Sequence, residues 1–442
     1  MKYIPHTTED IRQMLAVIGV DKVEDLYAEV PEELKLKQPL GIPSAQSEIE
    51  VRRIVGEMAA QNKVLVPFAG AGSYDHYTPS MIPYMTSRSE FSTSYTPYQA
   101  EISQGTLAYI FEYQTMMAQL TGMDISNASM YDGATATAEA MLMMVAASKR
   151  RKKVLVSSTL LPEVGQVVQT YAHYHGVEVQ VIGHQDGVTD RAEITAALSG
   201  GDVAGVIVAQ PNRFGIVEDL TGLADEVHAA GALLAVNAVA STLAVLRSPG
   251  EWGADIACGD AQSLGLPLNF GGPYIGYMCV KKALVRKMPG RLVGETTDAD
   301  GRRCFVLTMQ AREQHIRREK ATSNICTAQG IMCLWVAIYL SLMGPEGLKE
   351  VNDQSYAAAH SLHDALVNTG LFAEAFPGKP FVNEFTLRFL GEEGVPALRQ
   401  RMAKAGFLAG VVTEGEPDCI TFAATERRTP DEVQRFLRLI QQ

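Results

Sequence analysis

From residue 154 onward, short apolar runs alternate with amphipathic stretches. Residues 154–157 (VLVS), 177–182 (VEVQVI), 203–208 (VAGVIV) and 232–236 (ALLAV) carry the first pattern, and residues 162–175, 192–198 and 220–230 carry the second. An apolar run of this length suits a strand covered on both faces, and a 3.6-residue period suits a helix laid on that sheet. The alternation predicts a mostly parallel α/β sheet with right-handed helical crossovers. Two more apolar runs, 254–259 (ADIACG) and 274–280 (YIGYMCV), flank a Gly- and Pro-containing loop and extend the sheet. Ligands in such sheets bind beyond the carboxyl ends of the strands. Gln210, Asn212, Asn237 and Asp260 therefore stand on the functional edge.

The flanks read differently. Residues 1–63 show no strand pattern. Thr7-Thr8-Glu9-Asp10 precedes a period through Ile11, Leu15 and Ile18, and Ser47-Glu48 opens a second amphipathic stretch to about residue 61. Both are capped helix starts, so this region is a helical arm. Residues 64–72 (VLVPFAGAG) read as a strand entering a glycine turn, where Gly70 and Gly72 permit close backbone approach. Asp132-Gly-Ala-Thr135 opens a stretch of high helix propensity ending at Ser148. Such a turn offers N–H groups to an anion, but Asp132 can accept them itself and repels an anion, so a cap without a ligand is expected. Residues 290–301 read as a flexible polar loop. Thr322-Ser323-Asn324 read as the start of a helix carrying Cys326, Cys333 and Trp335. A boundary falls at residues 340–347, after which helix, strand, helix, strand and a helix opened by Thr429-Pro-Asp-Glu432 make a smaller α+β domain. The expected division is thus 1–63, 64–340 and 341–442.

Composition narrows the function classes. The chain has 442 residues, 47% hydrophobic and 20% charged, with a net charge of −12. That balance suits a globular enzyme and speaks against nucleic-acid or anionic-membrane surfaces. No apolar run reaches the roughly 20 residues of a membrane span, and the first ten residues turn polar at once, so neither a span nor a signal peptide is expected. The six cysteines lie far apart, which predicts buried reduced thiols in a cytoplasmic protein. His173, His175 and His184 lack the carboxylate spacing of a metal site, and no metal is expected.

Two stretches carry candidate chemistry. Residues 90–117 interleave aromatic and hydroxyl side chains around Pro97, and a long helix follows Glu101. Tyr95, Tyr98, Gln99 and Glu101 are polar and aromatic groups on a loop held by a rigid helix, a common binding arrangement. In the second stretch His315, Arg317, Arg318 and Lys320 precede Thr322, Ser323 and Asn324. Cations beside hydroxyls at a helix start suit a phosphate or carboxylate.

Taken together, the chain resembles the glycine decarboxylase family, the P-protein of the glycine cleavage system. It is most similar to the separate N-terminal (α) subunit found where that protein is split. The resemblance rests on YTPYQAE (95–101), YQTM (113–116), DGAT (132–135), FGGP (270–273) and RREKATSNICT (317–327), in that order. It implies a fold-type-I, aminotransferase-like large domain with a C-terminal small domain, and pairing with a β subunit as α₂β₂. It implies that the β subunit carries the lysine that binds pyridoxal phosphate, and that the pair decarboxylates glycine and passes an aminomethyl group to the lipoyl arm of the H-protein. The T- and L-proteins complete that system. In this chain the lysine position is matched by Gln262, the loop around it holds no lysine, and the pyridinium-pairing position is matched by Asn237. With Asp132 and Thr135 these make a vestigial site. The same resemblance implies that Thr322 reaches the partner's cofactor phosphate. Tyr95, Tyr98, Gln99 and Glu101 would line the glycine or lipoyl path, and His315, Arg318, Lys320, Ser323 and Asn324 would complete the site across the interface. Two other readings fit the residues: a self-contained pyridoxal-phosphate transferase or lyase, which needs a lysine that no matching position supplies, and a structural subunit that never touches substrate.

Overall fold

All eight residues of Val203–Gln210 are buried, as the apolar run through Ala209 demands. They stand in the interior of a seven-stranded sheet ordered Ile125–Ser126, Gly276–Val280, Ile256–Asp260, Leu233–Ala238, Val203–Gln210, Lys153–Ser157, Glu178–Ile182. Within this sheet the strands between residues 153 and 260 pair in parallel, and Gly276–Val280 returns antiparallel. Val154 and Val156 enter the core beneath the helices Gly133–Ser148 and Pro162–His175. Leu155 enters the core beneath Arg191–Leu198 and Leu223–Ala229. That alternation is the two-residue period of a strand with helices on both faces. This computed structural model describes residues 5–38, 40–93, 95–148 and 150–442, which fall into two units, 1–63 and 64–442.

The helix Gln104–Thr121 packs against the first part of a helical run, Gly330–Asn368, through Tyr113, Met117, Cys333 and Tyr339. The run breaks at Gly344, whose φ of 58° precedes Pro345. This break lies within the expected boundary at 340–347. The apolar part before the break is shorter than the roughly 20 residues of a membrane span, and Cys333, Val336 and Tyr339 are buried in the protein core.

The C-terminal sheet is antiparallel, in the order Phe372–Glu374, Glu384–Phe389, Cys419–Ala423, Val411–Val412. The helices Gly394–Lys404 and Pro430–Ile440 cover it. Thr429 and Glu432 form the capping box expected at the start of the last helix. Phe385, Phe407, Phe422 and Phe436 fill this core, and Phe68 stacks on Phe436 at 4.3 Å between ring centroids. The strand expected at residues 64–72 is only Val66–Phe68, and it pairs with Phe407–Ala409 rather than with the large sheet. Val66 and Phe68 find their apolar partners in this aromatic core, which local pattern does not reveal.

Three other expectations change. Residues 290–301 are not a loop: Val293–Thr297 pairs antiparallel with Arg303–Leu307. Gln114 bonds the amide and carbonyl of Val293 (2.9 and 3.0 Å), and Gln104 bonds those of Phe305 (2.9 and 2.8 Å). The two glutamines thus tether this hairpin to the long helix. Residues 321–329 are not helical, since the helix begins at Gly330. Tyr131 Oη accepts from the amides of Cys326 (3.1 Å) and Thr327 (3.3 Å), and Ser129 Oγ accepts from that of Gln329 (2.9 Å), which holds the segment extended. Finally, Cys258, Cys279, Cys333 and Cys419 are buried as expected, but Cys304 is half-buried and Cys326 exposed.

In the N-terminal unit, Thr8–Ile18 and Glu48–Ala59 are helices, each opened by the expected capping box, Thr7 with Asp10 and Ser47 with Glu50.

Candidate functional site

The strand ends converge as the topology requires. Asp260 closes Ile256–Asp260 beside the start of the helix Gly133–Ser148. Its Oδ2 accepts from the Gly133 amide at 3.1 Å, and its Oδ1 accepts from the Gln262 amide at 2.8 Å. The approach needs a glycine, because a Cβ on Gly133 would lie 2.6 Å from the Asp260 nitrogen. Asp132 Oδ1 accepts from the Thr135 amide at 2.8 Å. Two carboxylates therefore occupy the helix N-terminus, where the helix dipole would otherwise favour an anion. Burial pushes the Asp260 carboxyl up to about 7, against the pull of the Gln262 and Gly133 amides.

Asn237, at the end of Leu233–Ala238, donates to Thr137 Oγ1 at 2.7 Å. Gln262 is fully buried. Its Oε1 accepts from the Tyr74 amide at 2.8 Å, and its Nε2 donates to the carbonyls of Tyr74 (2.9 Å) and Leu266 (2.7 Å). The amide is thus saturated. A cavity of about 250 Å³ between these groups is walled by Gly72, Ser73, Asp132, Gly133, Asn237 and Asp260. Neither lysine nor arginine lines it. These residues do not fit covalently bound pyridoxal phosphate: the lysine position holds a fully bonded glutamine, and the phosphate position holds two carboxyl groups. Lys281, the nearest lysine in sequence, pairs with Asp255 at 3.1 Å.

The segment from Gly70 to Tyr77 is pinned from several sides. Glu384 Oε1 accepts from the Ala71 amide at 2.5 Å, and Oε2 accepts from Tyr74 Oη at 2.8 Å. Burial pushes the Glu384 carboxyl up to about 7, while those two donors pull it down. A Cβ on Gly70 would meet Glu384 Oε1 at 2.3 Å, so the close approach expected of this glycine is to a carboxylate. Glu426 accepts from the Tyr77 amide at 2.7 Å and bonds His76 Nδ1 at 2.8 Å. Burial raises its carboxyl, yet the His76 contact and the amides hold it below the usual carboxylate range.

The remaining expected residues form two separate groups. Tyr95, Tyr98, Gln99 and Glu101 are exposed on the approach to Gln104–Thr121. Beneath them lies a residue that sequence reading missed. Arg291, 6% exposed, donates from Nη2 to Tyr98 Oη at 3.0 Å and places its guanidinium 5.3 Å from the Tyr98 ring centroid. It has no carboxylate within ion-pair distance among the described residues, and no motif around it announces a role. In the other group, His315, Arg318 and Lys320 are exposed, and His315 stands 3.6 Å from Glu313. Thr322 is half-buried and Asn324 exposed, but Ser323 is buried and donates to Glu139 Oε1 at 2.7 Å. The helix start that was to present Thr322, Ser323 and Asn324 to an anion lies further along, at Gly330. The structure therefore brings Asp132 and Asn237 together at one cavity, with Gln262 buried beside Asp260 and Thr135 on a second cavity. Of the others, Ser323 is buried, Thr322 is half-buried and the rest are exposed.

Comparison with known proteins decides the family. The model of the family "Glycine cleavage system P-protein" matches residues 1–440. The chain belongs to this P-protein family. It is 45% identical over 448 residues to the probable glycine dehydrogenase (decarboxylating) subunit 1 of Carboxydothermus hydrogenoformans, covering 100% of this chain and 99% of that one. Identity to the protein of the same name from Moorella thermoacetica is 47% over 441 residues, covering 99% of this chain and 98% of that one. Among solved structures, a glycine decarboxylase (P-protein) of the glycine cleavage system in inhibitor-bound form superposes with a TM-score of 0.91 at 43% identity, covering 100% of this chain and 99% of that one. The fold is the fold-type-I, aminotransferase-like one. A glutamate decarboxylase of Lactobacillus brevis shares it with a TM-score of 0.69 at 13% identity, covering 94% of this chain and 96% of that one.

Proposed function

We infer that this P-protein family member is the α subunit of a two-part glycine decarboxylase. With a β subunit, as α₂β₂ in the cytoplasm, it decarboxylates glycine and passes the aminomethyl group to the lipoyl arm of the H-protein, in a system shared with T- and L-proteins. The observation that carries this reading is the conjunction of end-to-end similarity to glycine dehydrogenase subunits with Gln262 saturated at the lysine position. A chain so built needs a partner to hold the cofactor.

Pyridoxal phosphate, bound by the β subunit, supplies the electron withdrawal that lets a carboxylate leave as CO₂. This chain's part is to complete the site from across the interface. Tyr95, Tyr98, Gln99 and Glu101 are exposed on a loop braced by a long helix, which suits a wall for glycine or the lipoyl arm. Arg318 and Lys320, beside His315, leave positive charge at the surface of an acidic chain, which suits attraction of carboxylate or phosphate. Thr322, half-buried beside the exposed Asn324, is the residue we assign to the partner's cofactor phosphate; Ser323 is turned inward to Glu139 and holds the segment in place.

Borohydride reduction of the chain mixed with pyridoxal phosphate tests this reading. No reduced adduct is expected on the chain alone, and a stoichiometric one is expected on the partner in the complex. An adduct on a lysine of this chain would overturn it. Thr322→Ala is expected to weaken cofactor retention by the complex, and unchanged retention would remove Thr322 from the site.

A further inference from the structure

A second cavity, of about 260 Å³, lies along the helix Gly133–Ser148 and shares neither Asp260, Asn237 nor Asp132 with the first. Its walls include Tyr131, Glu139, Leu142, Tyr171, Tyr174 and Ile325. Glu139 is the only charged side chain in that helix and is 5% exposed. Ser323 satisfies Oε1. Oε2 is buried and has no hydrogen-bond partner among the described residues.

A carboxylate buried without a cation is costly, and an apolar side chain of similar size would serve a purely structural position better. Burial pushes this carboxyl up to about 7, opposed by the Ser323 hydroxyl and by His175. The titratable and charged groups around it are Tyr131 and Asp132 ahead of the helix, and Tyr171, Tyr174 and His175 on Pro162–His175. None of the lining residues is a lysine or arginine, so a ligand carboxylate has no strong partner there. An ammonium group does: a carboxylate oxygen to bond and tyrosine faces to lie against. Leu142 and Ile325 complement an apolar stem.

We propose that this cavity binds a small primary ammonium compound with an apolar stem, its nitrogen anchored on Glu139. The proposal does not rest on the glycine decarboxylase reading, although Thr135 and Asn324, which that reading uses, also line this cavity.

Calorimetric titration of the full-length chain with n-butylammonium chloride at pH 8.5, where Glu139 is ionised, provides the test, with n-butanol as the uncharged isostere. Butylammonium is expected to saturate one site and to bind about tenfold more tightly than butanol, the scale of one charge-assisted hydrogen bond. Glu139→Gln keeps an oxygen for Ser323 and should abolish the preference, with the near-UV spectrum unchanged. The wild-type comparison is decisive even where that variant fails to fold. Equal affinities, no saturable binding of butylammonium, or a preference surviving in a folded Glu139→Gln would each overturn the proposal. Repeating the titration on the complex with its partner tests the source of the ammonium. Retained binding points to a free amine. Loss means that the partner fills or covers the cavity, and would overturn the assignment to a small free amine.

Discussion

Gln262 grips Tyr74 by both sides of its backbone, accepting from its amide at 2.8 Å and donating to its carbonyl at 2.9 Å. A lysine has donors but no acceptor, so Gln262→Lys leaves the Tyr74 amide unpaired and brings a charge to a fully buried position. We expect the variant to lose about 3 kcal/mol or more in urea denaturation. We also expect it to gain no reducible adduct with pyridoxal phosphate, because Asp132 and Asp260 still hold the phosphate position. A stable variant that forms the adduct would show that the lysine alone was missing.

Two glycines separate close approach from mere flexibility. At Gly133 an added Cβ would press on the Asp260 backbone at 2.6 Å, whereas at Gly105, in Gln104–Thr121, it would meet nothing within 4 Å. Gly133→Ala should destabilise by about 2–3 kcal/mol through backbone displacement. Gly105→Ala should stabilise by about 0.5–1 kcal/mol, since it removes unfolded-chain freedom from an exposed helical position. Denaturant midpoints of the two variants should therefore move in opposite directions.

Stability should fall with rising pH near neutrality. Glu139, Asp260 and Glu384 are each raised to about 7 by burial. A carboxyl raised on folding contributes stability that is complete below its unfolded value near 4 and is lost as pH climbs through the folded value. Each group costs at most about 1.4 kcal/mol per pH unit crossed. Glu426 is shifted down, so its contribution is lost only as pH falls through its lowered range, outside this window. The melting temperature at fixed ionic strength should decline from pH 5 to pH 8, and Glu384→Gln should flatten that slope. A flat wild-type profile would mean that these carboxyls are ionised without penalty.

The sheet and its crossovers were legible because each strand carries its own apolar run, and because Thr7, Ser47 and Thr429 cap helices with partners three residues away. That Asn237 and Asp260 stand together at the strand ends was legible in the alternation of strands and helices. What escaped reading depends on partners far along the chain. The hairpin after Gly290 is held by Gln104 and Gln114, roughly two hundred residues away. The segment before Gly330 stays extended on Tyr131 and Ser129. Val66–Phe68 finds its neighbour at Phe407–Ala409. Ser323 was read as an anion ligand, and its hydroxyl instead serves the single buried glutamate of another helix.

Arg291 joins the reading of the surface loop to a test of function. It is 6% exposed and bonds Tyr98 Oη at 3.0 Å without a carboxylate partner among the described residues. A buried guanidinium costs desolvation, so a role confined to bracing Tyr98 would be served as well by a neutral donor. Arg291→Gln keeps a donor for the hydroxyl while removing the charge and the contact with the ring. We expect stability to change by less than about 1 kcal/mol, because the lost contact and the relieved desolvation offset each other. We expect kcat/KM of the reconstituted complex for glycine to fall about tenfold or more, roughly 1.4 kcal/mol of lost transition-state stabilisation. Tyr98→Phe, which keeps the ring beneath the guanidinium, should fall less. Were Arg291→Gln as active as the wild type, Arg291 would be a brace for the loop only, and the positive potential at the shared site would have to come from Arg318 and Lys320.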